Sequence, residues 1–192
     1  MPSRNQRKSH AAVDGLFHVY NRGIDRMSIF QDAVDQREFL QCFRRYLSPE
    51  TFRDDHSRPY RKLSDQVAVV AFCLMPNHFH LIVHQIQAGG MANLMHRALS
   101  GYVSTYNRRH RRSGRLFEAP YKATEIVSHR QAKQAIAYVH GNHPTGPDYE
   151  LCSHPLYIGH EQSDWIAVDT GLQAFGGVAH YKDFMDRYVA AK

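Results

Sequence analysis

The sequence predicts an α+β protein, one antiparallel sheet covered by helices. Three observations carry this. Two strand-like runs, 66–75 and 78–84, are separated only by Pro76-Asn77. Two stretches, 32–47 and 91–109, repeat apolar residues every three or four positions. Along the chain the order is strand, helix, strand, strand, helix, strand, helix, which gives hairpins joined by helical crossovers.

Each element has its own justification. Residues 1–15 read as a flexible basic arm. Leu16–Tyr20 reads as a strand, with Phe17 and Val19 on one face and His18 and Tyr20 on the other. Asn21-Arg22-Gly23 ends it in a turn. Asp32–Leu47 is an amphipathic helix whose apolar face holds Phe39, Leu40, Phe43 and Leu47. Residues 48–66 are polar, contain two prolines and read as a surface loop. The run QVAVVAFCLM, 66–75, is apolar and rich in β-branched residues, as a central strand is. HFHLIVH, 78–84, pairs with it. Met91–Arg109 is a helix with Leu94, Met95, Ala98, Leu99, Tyr102, Val103 and Tyr106 on its apolar face. Residues 116–127 hold one or two short strands limited by Pro120. Ser128 and Gln131 have the spacing of a capping box and open a helix that Gly141 and Pro144 stop. Residues 145–175 read as loop-rich, and Tyr181–Val189 as a short closing helix.

Composition narrows the function classes. The chain has 192 residues, 43% of them hydrophobic, enough for one domain with a real core. Its longest apolar run is half the roughly 20 residues a bilayer span needs. The polar, basic N-terminus has no apolar stretch behind it, so no secretory signal and no membrane association are expected. Three scattered cysteines suggest neither a disulfide framework nor a cysteine zinc site, and fit a reducing cytoplasm. The net charge of +6 is concentrated: residues 97–133 carry nine basic and two acidic side chains. Arginine dominates, and its planar fork suits phosphate. A focused basic stretch is either a solvated loop or the footprint of a polyanion.

Two small constellations could carry chemistry. His78 and His80 alternate with Phe79 in a strand, so both imidazoles project from the same face and could grip one cation. The plainer reading is two hydrogen-bonded or solvated histidines at a strand start. Tyr138 lies on a helix whose apolar face is Ala132, Ala135, Ile136 and Val139, yet it sits roughly 110° from that face, in a stripe with Gln131, Gln134 and Asn142. A tyrosine there is available to react, or is an ordinary boundary residue. A phenol with a pKa of about 10 is a poor nucleophile at neutral pH. A cation that offsets charge on a phosphoryl group would make it competent.

Five stretches together resemble a known family. Met75-Pro76-Asn77-His78-Phe79-His80-Leu81 resembles the histidine–hydrophobic–histidine (HUH) motif of single-tyrosine transposases, and Tyr138-Val139-His140-Gly141-Asn142 resembles their nucleophile helix. His18-Val19-Tyr20-Asn21-Arg22-Gly23, Tyr106-Asn107-Arg108-Arg109-His110, and Gly114 to Ala123 are similar to further parts of the family, in the same order. The subgroup most alike is the REP-associated tyrosine transposases. The resemblance implies a ferredoxin-like sheet over residues 16–145. Residues 146–192 lie outside the match and read as an acidic C-terminal extension that packs on the domain or regulates access to its site. It implies Mg²⁺ or Mn²⁺ held by His78, His80 and the Asn142 side chain, and attack by Tyr138 on hairpin-forming single-stranded DNA. That attack would leave a 5′-phosphotyrosine and a free 3′-OH. The chain departs from many members at Gly141, and at His143, which stands between Asn142 and Pro144.

On this reading Arg108, Arg109, Arg111, Arg112, Arg115 and Lys122 line the DNA path, and Phe117 and Tyr121 are candidates to stack on unpaired bases, as is Tyr106, although it continues the apolar face of its helix and core packing is the favoured reading for it. Arg4, Arg7 and Lys8 of the arm could clamp a stem. The expected location is cytoplasmic and nucleoid-associated, the expected form a monomer or homodimer. Two other functions compete: a non-catalytic DNA- or RNA-binding regulator on the same fold, and a zinc hydrolase using the two histidines. The last lacks the glutamate of an H-E-x-x-H helix.

Overall fold

The computed structural model describes residues 13–141 and 152–191. Four strands, β1 (Gly15–Arg22), β2 (Val67–Met75), β3 (His78–Gln85) and β4 (Lys122–Ile126), form one antiparallel sheet in the order β2-β3-β1-β4. Helix α1 (Ala33–Leu47) connects β1 to β2, and α2 (Gly90–Arg109) connects β3 to β4. This is the split β-α-β arrangement of a ferredoxin-like sheet. Helices α3 (His129–Gly141), α4 (His154–Tyr157), α5 (Val168–Phe175) and α6 (Val178–Ala190) follow. Among the described residues, no helix is long and apolar enough to cross a membrane.

Strand alternation divides the core into two. Phe17 and Val19 of β1, with Phe79, Leu81 and Val83 of β3, face α1 and α2, where they meet Phe39, Phe43, Leu94 and Tyr102. On the opposite face Val70, Cys73 and Ile82 meet Ile136 and Val139 of α3, Tyr157, Phe175 and Tyr181. A bulge between Val69 and Ala71 of β2 inserts one residue and lets the strand serve both cores, which is why its sequence is continuously apolar. All three cysteines are buried free thiols.

Local signals explain the helix starts. The Asp32 carboxylate accepts from the Val34 and Asp35 N–H groups at 2.9 and 3.1 Å and caps α1. Ser128 Oγ accepts from the Gln131 N–H at 3.2 Å, while Gln131 Oε1 accepts from Val127 N–H at 2.9 Å, one residue earlier than in a standard box. Strand β1 runs two residues into the expected turn, because Arg22 pairs with His78 and its carbonyl accepts from Glu118 N–H.

Of the stretch 145–175, the described part is loop-rich as expected over 158–167, and also holds the short helices α4 and α5, which were not expected. These helices are short, and tertiary burial of Tyr157 and Phe175 holds them where periodicity gives no signal. Gly171 inside α5 reads locally as a breaker, but its reason is contact. A Cβ there would lie 1.8 Å from Tyr157 Oη, which donates to the Val70 carbonyl at the bulge at 2.9 Å. Tyr157 is fully buried and has no room to swing aside. Gly171→Ala is therefore expected to cost about 1–3 kcal/mol, read as a lower urea midpoint at unchanged m.

Candidate active site

The cleft lies on the second face of the sheet, beside α3. The β2–β3 hairpin turns at Pro76-Asn77 and delivers His78 as the first residue of β3, with His80 two residues on. Phe79, Leu81 and Val83 occupy the other face and are buried, which fixes the orientation of the histidine pair. Their rings lie 5.1 Å apart, nearly perpendicular. Register sets Tyr20 of β1 beside His80, Arg22 beside His78, and Lys122 of β4 beside Tyr20. Helix α3 then brings Tyr138 over the pair: its ring is 5.4 Å from that of His80 and 5.8 Å from that of His18, edge-on to both. Tyr138 is 41% exposed while its neighbours Ala137 and Val139 are buried, as its position on the polar stripe predicts.

Each cleft histidine is engaged at one nitrogen. His78 Nδ1 is 2.7 Å from Asn77 Oδ1, so it carries the proton there and leaves Nε2 with a lone pair. His80 Nδ1 is 2.9 Å from His18 Nε2. With the proton on His80, its Nε2 is likewise a ligand atom. Burial pulls the His80 pKa down to about 3, helped by His18, His78 and Arg22. Burial also lowers His78, with Arg22 contributing, and burial lowers His18. All three imidazoles are thus neutral at physiological pH, the form that binds metal. Two neutral nitrogens with hydrogen-bonded second nitrogens fit a divalent cation as part of its coordination. Among the described residues, no group of three His, Cys, Asp or Glu side chains completes a metal site. Asn142 lies outside the described residues, as do Arg4, Arg7 and Lys8.

The cleft encloses about 450 Å³, and Arg22, Lys122 and Glu118 line it alongside the histidines and Tyr138. The remaining arginines divide into groups. Arg108 and Arg111 are exposed, with no side-chain partner among the described residues. Arg112 holds the loop after α2 together, donating to Asn107 Oδ1 at 3.2 Å and lying over the Tyr106 ring, and Arg115 donates to the Glu118 carbonyl. Arg109 is committed to Asp32 and Asp35. Tyr106 and Phe117 are buried in the first core, 1% and 8% exposed, so neither offers a face to a base; Tyr121 is half-buried.

His18, Tyr20, Arg22 and Thr124 belong to the cleft without having been singled out for it. The signal for the first two was present, since His18 and Tyr20 alternate with buried Phe17 and Val19 just as His78 and His80 alternate with Phe79. Strand order supplied the missing fact, because only β1 beside β3 brings the two pairs together.

No family model and no curated protein matches the chain. A solved structure of a REP-associated tyrosine transposase bound to a REP hairpin is similar, with a TM-score of 0.53 and 11% sequence identity. The match covers 82% of this chain and 88% of that one. The two share a fold.

Proposed function

We propose that the protein cuts and rejoins single-stranded, hairpin-forming DNA, with Tyr138 as the nucleophile. The observation that carries this reading is the convergence of the Tyr138 ring on His80 and His18 of the same chain, in a cleft that also holds Arg22 and Lys122. His78 and His80, with Asn142 as the proposed third ligand, would hold Mg²⁺ or Mn²⁺, which would supply charge stabilisation for a phosphoryl group.

The chain's own residues do the rest. Arg22 and Lys122 hold the negatively charged backbone in the cleft. Tyr138 Oη loses its proton to solvent water and bonds to phosphorus, the bond from phosphorus to the 3′ oxygen breaks, and that oxygen takes a proton from water and leaves as a 3′-OH. The product is a 5′-phosphotyrosine. Rejoining is the reverse, with a 3′-OH displacing Tyr138, so no external energy source is required. His18 acts through His80, holding its Nδ1 and fixing the ring. Because Tyr138 meets the imidazoles of its own chain, one copy suffices.

Incubation with Mn²⁺ and a hairpin oligonucleotide carrying single-stranded arms is expected to give a covalent adduct resistant to denaturation, absent in Tyr138→Phe. Tight binding with no adduct from the wild-type protein would overturn the cleavage reading in favour of a non-catalytic nucleic-acid-binding regulator.

A further inference from the structure

The tip of the β2–β3 hairpin is gripped by the turn that follows β1. The Gly23 N–H donates to the Asn77 backbone carbonyl at 2.8 Å, and the Ile29 and Phe30 N–H groups donate to the Pro76 carbonyl at 2.8 and 3.1 Å. Between these contacts Asp25 and Arg26 both adopt the left-handed conformation, with φ of 51° and 59°. Two successive non-glycine residues there are costly, and persist only where their surroundings hold them. The turn is also tight, since a Cβ on Gly23 would lie 2.3 Å from the Met27 carbonyl oxygen. In this strained turn the Arg26 carbonyl accepts from Asn77 Nδ2 at 3.2 Å.

That contact decides the place of a proton one residue away. A carbonyl oxygen only accepts, so the end of the Asn77 amide that faces Arg26 is its nitrogen. The other end, Oδ1, then lies 2.7 Å from His78 Nδ1. Oδ1 has no proton to give, so Nδ1 is the donor, and a neutral imidazole with Nδ1–H has its lone pair on Nε2. Reversing the amide would set oxygen against oxygen at Arg26. His80 has no such lock: its Nδ1 meets His18 Nε2 at 2.9 Å, and either ring of that pair can carry the shared proton. Of the two cleft histidines, His78 is therefore the one whose ligand atom is fixed before any ion arrives.

We propose that Asn77 is a positioning residue for the cation: anchored by the Arg26 carbonyl, it holds His78 in the Nδ1–H tautomer and keeps Nε2 as a ready metal donor. The inference rests on the reading of His78 and His80 as cation ligands. Its test reads the tautomer and the metal separately, in the full-length protein and without DNA. Protein with ¹⁵N-labelled histidine is studied by NMR at pH 8 without added metal, the His78 signals being assigned by their loss in His78→Gln. Wild-type His78 is expected to show a protonated Nδ1 and an unprotonated Nε2. Asn77→Asp keeps an acceptor for Nδ1–H and should keep that tautomer; Asn77→Ala should shift it toward Nε2–H. Mn²⁺ affinity, followed by the electron paramagnetic resonance of the free ion, should fall about 10–100-fold in Asn77→Ala and be retained in Asn77→Asp.

Both variants lose the bond to Arg26, so a purely structural role for Asn77 in the turn would lower the urea midpoint of each and leave the tautomer of each unchanged. A wild-type His78 protonated at Nε2, or an Asn77→Ala protein that keeps the wild-type tautomer or the wild-type Mn²⁺ affinity, would overturn the proposal. Wild-type protein that takes up no Mn²⁺ would instead sink the cation reading, and the role of Asn77 with it. Uptake equal in wild type and Asn77→Ala spares that reading and removes only Asn77 from it.

Discussion

Replacing Asp35 by alanine is expected to lower the unfolding free energy by about 2–3 kcal/mol, the cost of removing a buried carboxylate acceptor from the donors around it. The Asp35 side chain is 2% exposed and is surrounded by donors. It accepts from the Gln31 N–H at 2.8 Å, from the Arg109 guanidinium, and from His110 Nε2 at 2.9 Å. Alanine takes this acceptor from the Gln31 N–H and from His110 and leaves Arg109 with Asp32 alone, at the junction of α1 and the end of α2. Asp35→Asn keeps shape and some hydrogen bonding, so its loss should be smaller. Urea unfolding followed by the single Trp165 measures both. A loss below 1 kcal/mol for Asp35→Ala would mean that Arg109 and His110 find water in its absence.

This cluster bears on how the basic stretch is used. Arg109 also pairs with Asp32, the residue that caps α1, and the hydrogen bond from Arg109 is the first cause drawing the Asp32 pKa down to about 2. A guanidinium held by two carboxylates has little net charge to offer a phosphate. Arg108 and Arg111, exposed and with no side-chain partner among the described residues, are better placed to affect the salt dependence of DNA binding, while Arg109 belongs with the residues that fix α2 to α1. Charge density in a sequence counts cations and not the carboxylates that fold against them, and Asp32 and Asp35 are far from Arg109 along the chain.

The same distinction between local and long-range information runs through the molecule. The hairpin, the facing of His78 and His80, the two crossover helices and the exposure of Tyr138 follow from periodicity and turn chemistry, which act over a few residues. The partnership of His18 with His80 depends on β1 lying beside β3, and a sequence does not carry strand order locally. Helices α4 and α5 escape a periodic reading because four and eight residues are too few to show an amphipathic face, and because Gly171 signals a break where a tyrosine hydroxyl needs the space. Their stability comes from the second core, against a strand whose continuous apolar run already required cover on both sides.

The largest pH effect should come from that second core. His140, two residues beyond Tyr138 on α3, is 4% exposed and hydrogen-bonded at both nitrogens. One proton order satisfies these contacts together. The Phe72 N–H donates to Ser153 Oγ at 2.8 Å, and that hydroxyl donates to the Phe72 carbonyl at 3.3 Å. His140 Nε2–H donates to Ser153 Oγ at 2.8 Å, while His140 Nδ1 accepts from the Tyr181 hydroxyl at 2.7 Å, whose oxygen accepts from His154 Nδ1–H at 2.5 Å. The chain ties α3 to β2 on one side and to α6 on the other, and it requires a neutral His140. Burial, reinforced by His154, holds its pKa well below the usual value.

The sign follows from linkage. Unfolded, the imidazole binds a proton near pH 6.5; folded, it does not until far lower. Above that pH both states are neutral and stability is flat. Below it the unfolded state gains a proton the native state refuses, so stability falls by about 1.4 kcal/mol per pH unit for this one group. His18, His78 and His80 act in the same direction. His140→Ala should cost about 3 kcal/mol at pH 8, from the cavity and the orphaned Tyr181 hydroxyl. It should also make the acid slope shallower by one proton. Urea midpoints at four pH values between 5 and 8 test both, and slopes that coincide would place a proton on His140 in the folded protein and break the order of donors argued above. The helix that carries Tyr138 is held at its C-terminal end by this residue, so loss of the clamp should also free the phenol from the imidazoles. The cost in adduct formation at pH 8 is then expected to exceed what the lowered fraction of folded protein accounts for.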